Sequence, residues 1–195
     1  MIRFPLRLLA GLALLAAACA PVASPTPPAA LPAVAALDLH SVAVAPVAYA
    51  VELPGGACNA YVVENLQASL QQKLRRSGSQ SVNSGRSVPR PQSLELPPSP
   101  GVVPVDVQFL PHGAEALLLI WLEEYWENSL CEWTSPKYLT VGAVGVLYAG
   151  VPPVEVWRAR ARVDGIGSYQ ARELISKTTN RLADLLLKDW PVVPA

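Results

Sequence analysis

Chemistry in this chain would have to come from three small groups of side chains. Glu123, Glu124 and Glu127 stand close together, and paired carboxylates can exchange protons with a substrate. Strand alternation would put Glu123 and Glu127 on one face and Glu124 on the other. With no His, Lys or Ser organised beside them, they read as a solvated strand end. Arg158, Arg160 and Arg162 alternate with Trp157, Ala159, Ala161 and Val163. Such a row can receive an anionic lipid head group or a partner's carboxylates. It is also what the wet face of an edge strand carries, where charge blocks unwanted pairing. The third group is the cysteines, Cys19, Cys58 and Cys131. His40 and His112 are the only histidines, and neither has ligand spacing to a cysteine, so no metal is expected. Asp164-Gly165-Ile166-Gly167-Ser168 links a strand to a helix, but it lacks the third glycine of a dinucleotide fingerprint and the lysine of a P-loop. A turn followed by a cap explains it. Neither Gly-x-Ser-x-Gly nor His-Glu-x-x-His occurs, so no enzyme and no bound cofactor are expected.

The amino terminus sets the surroundings of these groups. Arg3 and Arg7 give a positive start, Leu8 to Ala18 is an unbroken apolar or small run, and Cys19 follows Ala16-Ala17-Ala18. The run is too short for a bilayer core, which needs about 20 residues as a helix, and it has the layout of a secretory signal. The cysteine after the small residues resembles a bacterial lipobox, with Leu15 one place earlier than the usual leucine and Ala16 in its place. That resemblance implies cleavage after Ala18 and a covalent lipid on Cys19, which anchors the chain to a membrane. Ala20, rather than aspartate, implies an outer-membrane anchor facing the periplasm. In that oxidising compartment Cys58 and Cys131 are an even remainder and read as one disulfide, the alternative being two buried free thiols. Fifteen basic and fifteen acidic residues cancel, so there is no global field to gather nucleic acid.

Residues 19–36 are rich in proline, alanine and serine and read as an extended tether of about 3.1 Å per residue. Residues 37–195 read as one folded domain. Ser41–Val47 has the apolar pattern of a buried strand. Asn59 is a plausible N-cap for a helix carrying Val62, Val63, Leu66, Leu70 and Leu74 on one face, with Arg75, Arg76 and Gly78 at its end. Residues 79–104 form a proline-rich irregular loop, and Val102–Phe109 is a candidate edge strand. Ala114–Asn128 is a strand that starts buried and ends at the surface. Lys137–Ala149 is a strand apolar on both faces, and Tyr138–Val151 is therefore a core strand or a surface buried by self-association or by lipid. Pro152-Pro153 turns the chain into Val154–Asp164, which Gly165 and Gly167 break. Ser168 caps a last amphipathic helix running toward Asp189. If the strands before Cys58 and Cys131 run parallel, both cysteines emerge at one edge of the sheet. The expected fold is an α/β single-domain sandwich, with a mixed sheet that ends antiparallel, packed by two main amphipathic helices.

This order is similar to the small α/β domain shared by the curli-secretion lipoprotein, the amino-terminal domain of the Tol-system propeller protein and related outer-membrane lipoproteins. The segments that carry the resemblance are Ser41–Val47, the helix from Asn59, Gly113-Ala114-Glu115-Ala116 and Val154-Glu155-Val156-Trp157. Glu115 stands where that group usually has aspartate. The auxiliary lipoprotein of lipid-transport ABC systems has a similar order of elements. Both resemblances imply a non-enzymatic accessory or assembly role in an envelope secretion or transport complex. The first implies contact with an envelope protein or a homo-oligomer, the second a hydrophobic ligand.

Overall fold

The computed structural model describes residues 39–49, 57–76, 80–82, 97, 99–104, 107, 110–133, 136–167 and 170–191. The expected signal, the tether and Cys19 lie outside them. Three long strands dominate: β4 (Ala116–Asn128), β5 (Lys137–Ala149) and β6 (Val154–Gly167). Before them come β1 (Ser41–Val44), β2 (Ala48–Tyr49), helix α1 (Ala57–Arg76) and β3 (Gln80–Val82), and after them α2 (Ala171–Leu186). The sheet order is β3-β1-β4-β5-β6, with β2 also on β4. β3 and β4 flank β1 in parallel, while β4, β5 and β6 are antiparallel neighbours. This is the expected α/β fold with a mixed sheet.

Leu117 to Leu122 is uninterruptedly apolar because β4 is covered on both faces. Leu118, Ile120 and Leu122 face the helices with Leu139, Val141 and Leu147 of β5. Against them sit Val62, Leu66, Leu70 and Leu74 of α1, all fully buried at four-residue steps, and Leu174, Ile175, Leu182 and Leu186 of α2. A helix spaced that way lays one stripe on the sheet. The two helices run parallel: Arg172 stacks over the Tyr61 ring at 5.9 Å near their starts, and Lys73 meets Asp184 at 2.5 Å near their ends.

Among the described residues, the other face carries no helix. Ala43, Ala45, Leu117, Leu119, Trp121, Val144, Val146 and Tyr148 line it, and Val103, Val107, Leu110 and Ala114 lie over them. The described residues Val103, Val107, Leu110 and Ala114 therefore make a third layer over this face. Two side chains fasten it: the Tyr148 hydroxyl donates to Val102 O at 3.3 Å, and Gly101 N donates to Glu155 at 2.9 Å.

Several boundaries differ from the sequence reading, for definable reasons. The first strand is two pieces, because Pro46 has no N–H for the ladder; Ala45 N still reaches Leu118 O, but Val47 N is taken by the Gln67 side chain of α1 at 2.9 Å. Asn59 lies inside α1 rather than capping it. β3 occupies part of the expected irregular loop, and the described residues of Val102–Phe109 make no strand. Gly165 and Gly167 continue β6 instead of breaking it. They leave room for α2, since a Cβ on Gly165 would come within 2.3 Å of Thr178 Oγ1 and 3.0 Å of Leu174 Cδ1. Gln170, not Ser168, holds the N-cap position of α2, with no side-chain hydrogen bond; Ser168 itself lies outside the described residues. Tyr138 to Ala149 is a central strand, as the core reading of that stretch required.

Candidate functional site

The arginines on β6 sit on the helix-free face of an edge strand, and each is engaged by carboxylates of its own chain. Arg158 grips Glu155 with Nε at 2.7 Å and a second nitrogen at 2.8 Å. Burial works to raise the Glu155 carboxyl, but the Arg158 hydrogen bonds and the Gly101 amide outweigh it and hold the group below the ordinary carboxylate range. The same hydrogen bonds raise Arg158. Arg160 meets Glu123 at 2.8 Å, and Arg162 meets Glu124 at 3.1 Å and Asp164 at 3.3 Å. Asp164 is held below its usual range first by the Thr140 hydroxyl at 2.7 Å and then by Arg162.

The expected alternation of the glutamates does not hold. A bulge between Leu122 and Glu124 leaves Glu123 without a cross-strand partner, and a bulge brings consecutive side chains toward one face. Glu123 and Glu124 thus both reach the arginine row. Glu124, Gly142 and Arg162 are in register across three strands, and the absent side chain of Gly142 lets the Glu124 carboxylate cross β5. These carboxylates neutralise the arginines.

Glu115 has a comparable structural task. Its carboxylate accepts His40 N at 2.6 Å and Ser41 N at 3.1 Å, which ties the start of β1 to the start of β4. Those two amides hold it below the usual carboxylate range. An acidic residue in the Gly113-Ala114-Glu115-Ala116 segment is thereby accounted for.

Sequence reading passed over the turn between β4 and β5. Ser129 adopts a left-handed φ of 57°, and the buried Leu130 roots the turn in the core. The Glu127 carboxylate accepts Leu130 N at 2.9 Å. Lys137 is 2% exposed, and its ammonium donates to Ser129 O at 2.9 Å and to Glu132 O. Cys131 is disulfide-bonded. Cys58 lies in the first turn of α1, and its side chain is outside those described. From this fastened turn Trp133 projects fully into solvent. Behind it, on the helix-free face, Trp126 is 54% exposed and 6.4 Å from the Tyr138 ring, with Ile166 in register beside Tyr138. The available signal was two tryptophans within eight residues of a surface turn, and large exposed apolar groups ask for a reason.

At the other end of the helices lies an open pocket of about 280 Å³ lined by Lys73, Arg76, Asp184, Leu187 and Trp190. Trp190 packs edge-on against Trp157 at 5.0 Å, and Trp157 Nε1 donates to Asp189 O at 2.9 Å. No group of three or more His, Cys, Asp or Glu placed to hold a metal occurs among the described residues. No helix among them is long and apolar enough to cross a membrane.

No protein-family model matches the chain, and no curated protein does. Solved structures do. The PelC dodecamer from Paraburkholderia phytofirmans is similar over 83% of this chain and 92% of its own, with 17% identity and a TM-score of 0.50. The likeness is one of fold. The hypothetical protein CT253 from Chlamydia trachomatis aligns over 77% of this chain and 99% of its own, at 12% identity and a TM-score of 0.45. Lipoprotein GNA1162 from Neisseria meningitidis aligns over 74% and 98%, at 18% identity and a TM-score of 0.43.

Proposed function

We propose that this chain is a non-enzymatic lipoprotein, held at the outer membrane by a covalent lipid on Cys19. Its periplasmic α/β domain serves as an accessory or assembly component of an envelope secretion or transport complex. It works through protein contacts, self-association included. The observation that carries this reading is the combination of Met1–Cys19, which resembles a lipoprotein signal, with a fold like that of a protein solved as a dodecamer. The resemblance to the curli-secretion and Tol-propeller domains supports the same class of role. The alternative, a lipid-transport auxiliary with a hydrophobic ligand between helices and sheet, finds that layer filled by Leu66, Leu70, Leu118, Ile120 and Leu147. Protein contact is therefore preferred.

The test is fractionation with metabolic palmitate labelling. The wild-type chain should take up label and sediment with outer membranes, and Cys19→Ser should do neither, because several acyl chains make an anchor that one chain does not. Label-free wild-type protein, or a Cys19→Ser variant still in the membrane, would overturn the reading.

A further inference from the structure

Trp133 and the pocket at the helix ends lie at opposite poles of the domain. β1 and β2 run parallel to β4, so α1 starts at the end of the sheet where β4 finishes and returns to the end where β4 begins; β3, which follows, pairs in register with β1 from Ser41. α2 follows Gly167, which is opposite Lys137, and runs the same way as α1. The pocket is therefore about a strand length from the β4–β5 turn, roughly 40 Å for thirteen residues. No single copy can bring the two together.

Their chemistry is complementary. The turn carries two carboxylates, Glu127 and Glu132, around Trp133 against the buried ammonium of Lys137, and it is held by Leu130, Lys137 and the disulfide at Cys131. The pocket offers Leu187 and Trp190 as an apolar wall and Arg76 as a cation, with Lys73 paired to Asp184 at 2.5 Å and Arg75 beside them in the last turn of α1. Cations over an indole face attract it, and about 280 Å³ accommodates one indole.

We propose that Trp133 of one copy docks in the Lys73–Arg76–Leu187–Trp190 pocket of the next, giving a head-to-tail contact between copies. This rests on the self-association part of the proposed function and names its interface. A contact between two different patches is heterologous, so it closes into a ring or continues as a filament. The strands then lie along the assembly, and the expected tether of residues 19–36, up to about 50 Å long, lets each copy keep its anchor. A lipid surface is the less suitable occupant, because Glu127 and Glu132 flank the exposed indole.

The experiment is native mass measurement of the full lipidated chain released from detergent. Wild type should assemble. Trp133→Ala and Arg76→Glu should each weaken assembly by about 30-fold or more, as loss of a buried tryptophan anchor does, while Trp133→Phe retains most of it. Both altered residues are exposed, so neither change should disturb folding. The deciding sample is the mixture of Trp133→Ala with Arg76→Glu. One keeps a working pocket and the other a working tryptophan, so they should form a one-to-one dimer and nothing larger. If wild type assembles and both variants assemble as well, the interface is elsewhere and only this inference fails. A wild type that stays monomeric at every concentration removes the self-association reading along with it. If assembly is unchanged and Trp133→Ala instead loses binding to vesicles of phosphatidylethanolamine and phosphatidylglycerol, the turn takes lipid and the inference is overturned.

Discussion

Glu155 and Arg158 show how burial decides what an ion pair contributes. The Glu155 side chain is 2% exposed and accepts three hydrogen bonds, two from Arg158 and one from Gly101. Arg158→Ala would leave an enclosed carboxylate with one amide, and stranding a buried charge costs about 3 kcal/mol or more. Arg160 is 59% exposed over Glu123, and exposed pairs contribute at most about 1 kcal/mol. Urea denaturation should therefore separate two arginines that look equivalent in sequence: Arg158→Ala shifts the midpoint strongly, and Arg160→Ala barely moves it. Equal shifts would mean that Glu155 finds water or another donor when Arg158 is gone. The row itself was legible from alternation. Its partners were not, because the bulge that turns Glu123 toward Arg160 leaves no mark in the residue types.

Elements were legible where one periodicity ran without interruption. The α1 stripe at Val62, Leu66, Leu70 and Leu74 and the apolar runs of β4 and β5 required only a core to face. β3 is three residues long and takes its pairing from β1, so nothing local announces it. Gly165 misled in the opposite direction. A glycine near the end of a strand pattern reads as a break, but here it is the gap into which α2 settles. Gly165→Ala tests that account. A Cβ there meets Thr178 Oγ1 at 2.3 Å and Leu174 Cδ1 at 3.0 Å on a buried helix face, and overpacking of this kind costs about 1–3 kcal/mol. Thermal melts should show the loss, and adding Thr178→Ala should recover part of it, since residues in contact are not additive. Full additivity of the two changes would mean that the helix does not seat on the glycine.

At the scale of the whole molecule the question is what closes the long excursion between α1 and the β4–β5 turn. β2 pairs in parallel with β4, placing Tyr49 beside Leu122, so the chain leaves both strands at the same end of the sheet. Cys58 follows one strand and Cys131 the other. Sequence made that placement conditional on parallel strands far apart in the chain, which no local pattern supplies. Cys131 is disulfide-bonded, and the expected partner is Cys58. Such a bridge closes a loop of roughly 73 residues, which in the chain-entropy model stabilises the fold by about 4 kcal/mol. The loop holds β3, the layer over the helix-free face and all of β4, so opening it should loosen that layer before the β5–β6–α2 half. A non-reducing peptide map of the native protein should recover one peptide pair containing Cys58 and Cys131. Cys58→Ser and Cys131→Ser should each lose about the same stability, and the double variant should lose no more than either alone. Additive losses from the two single variants would show that the cysteines act separately, and that parallel pairing alone holds the two halves of the sheet together.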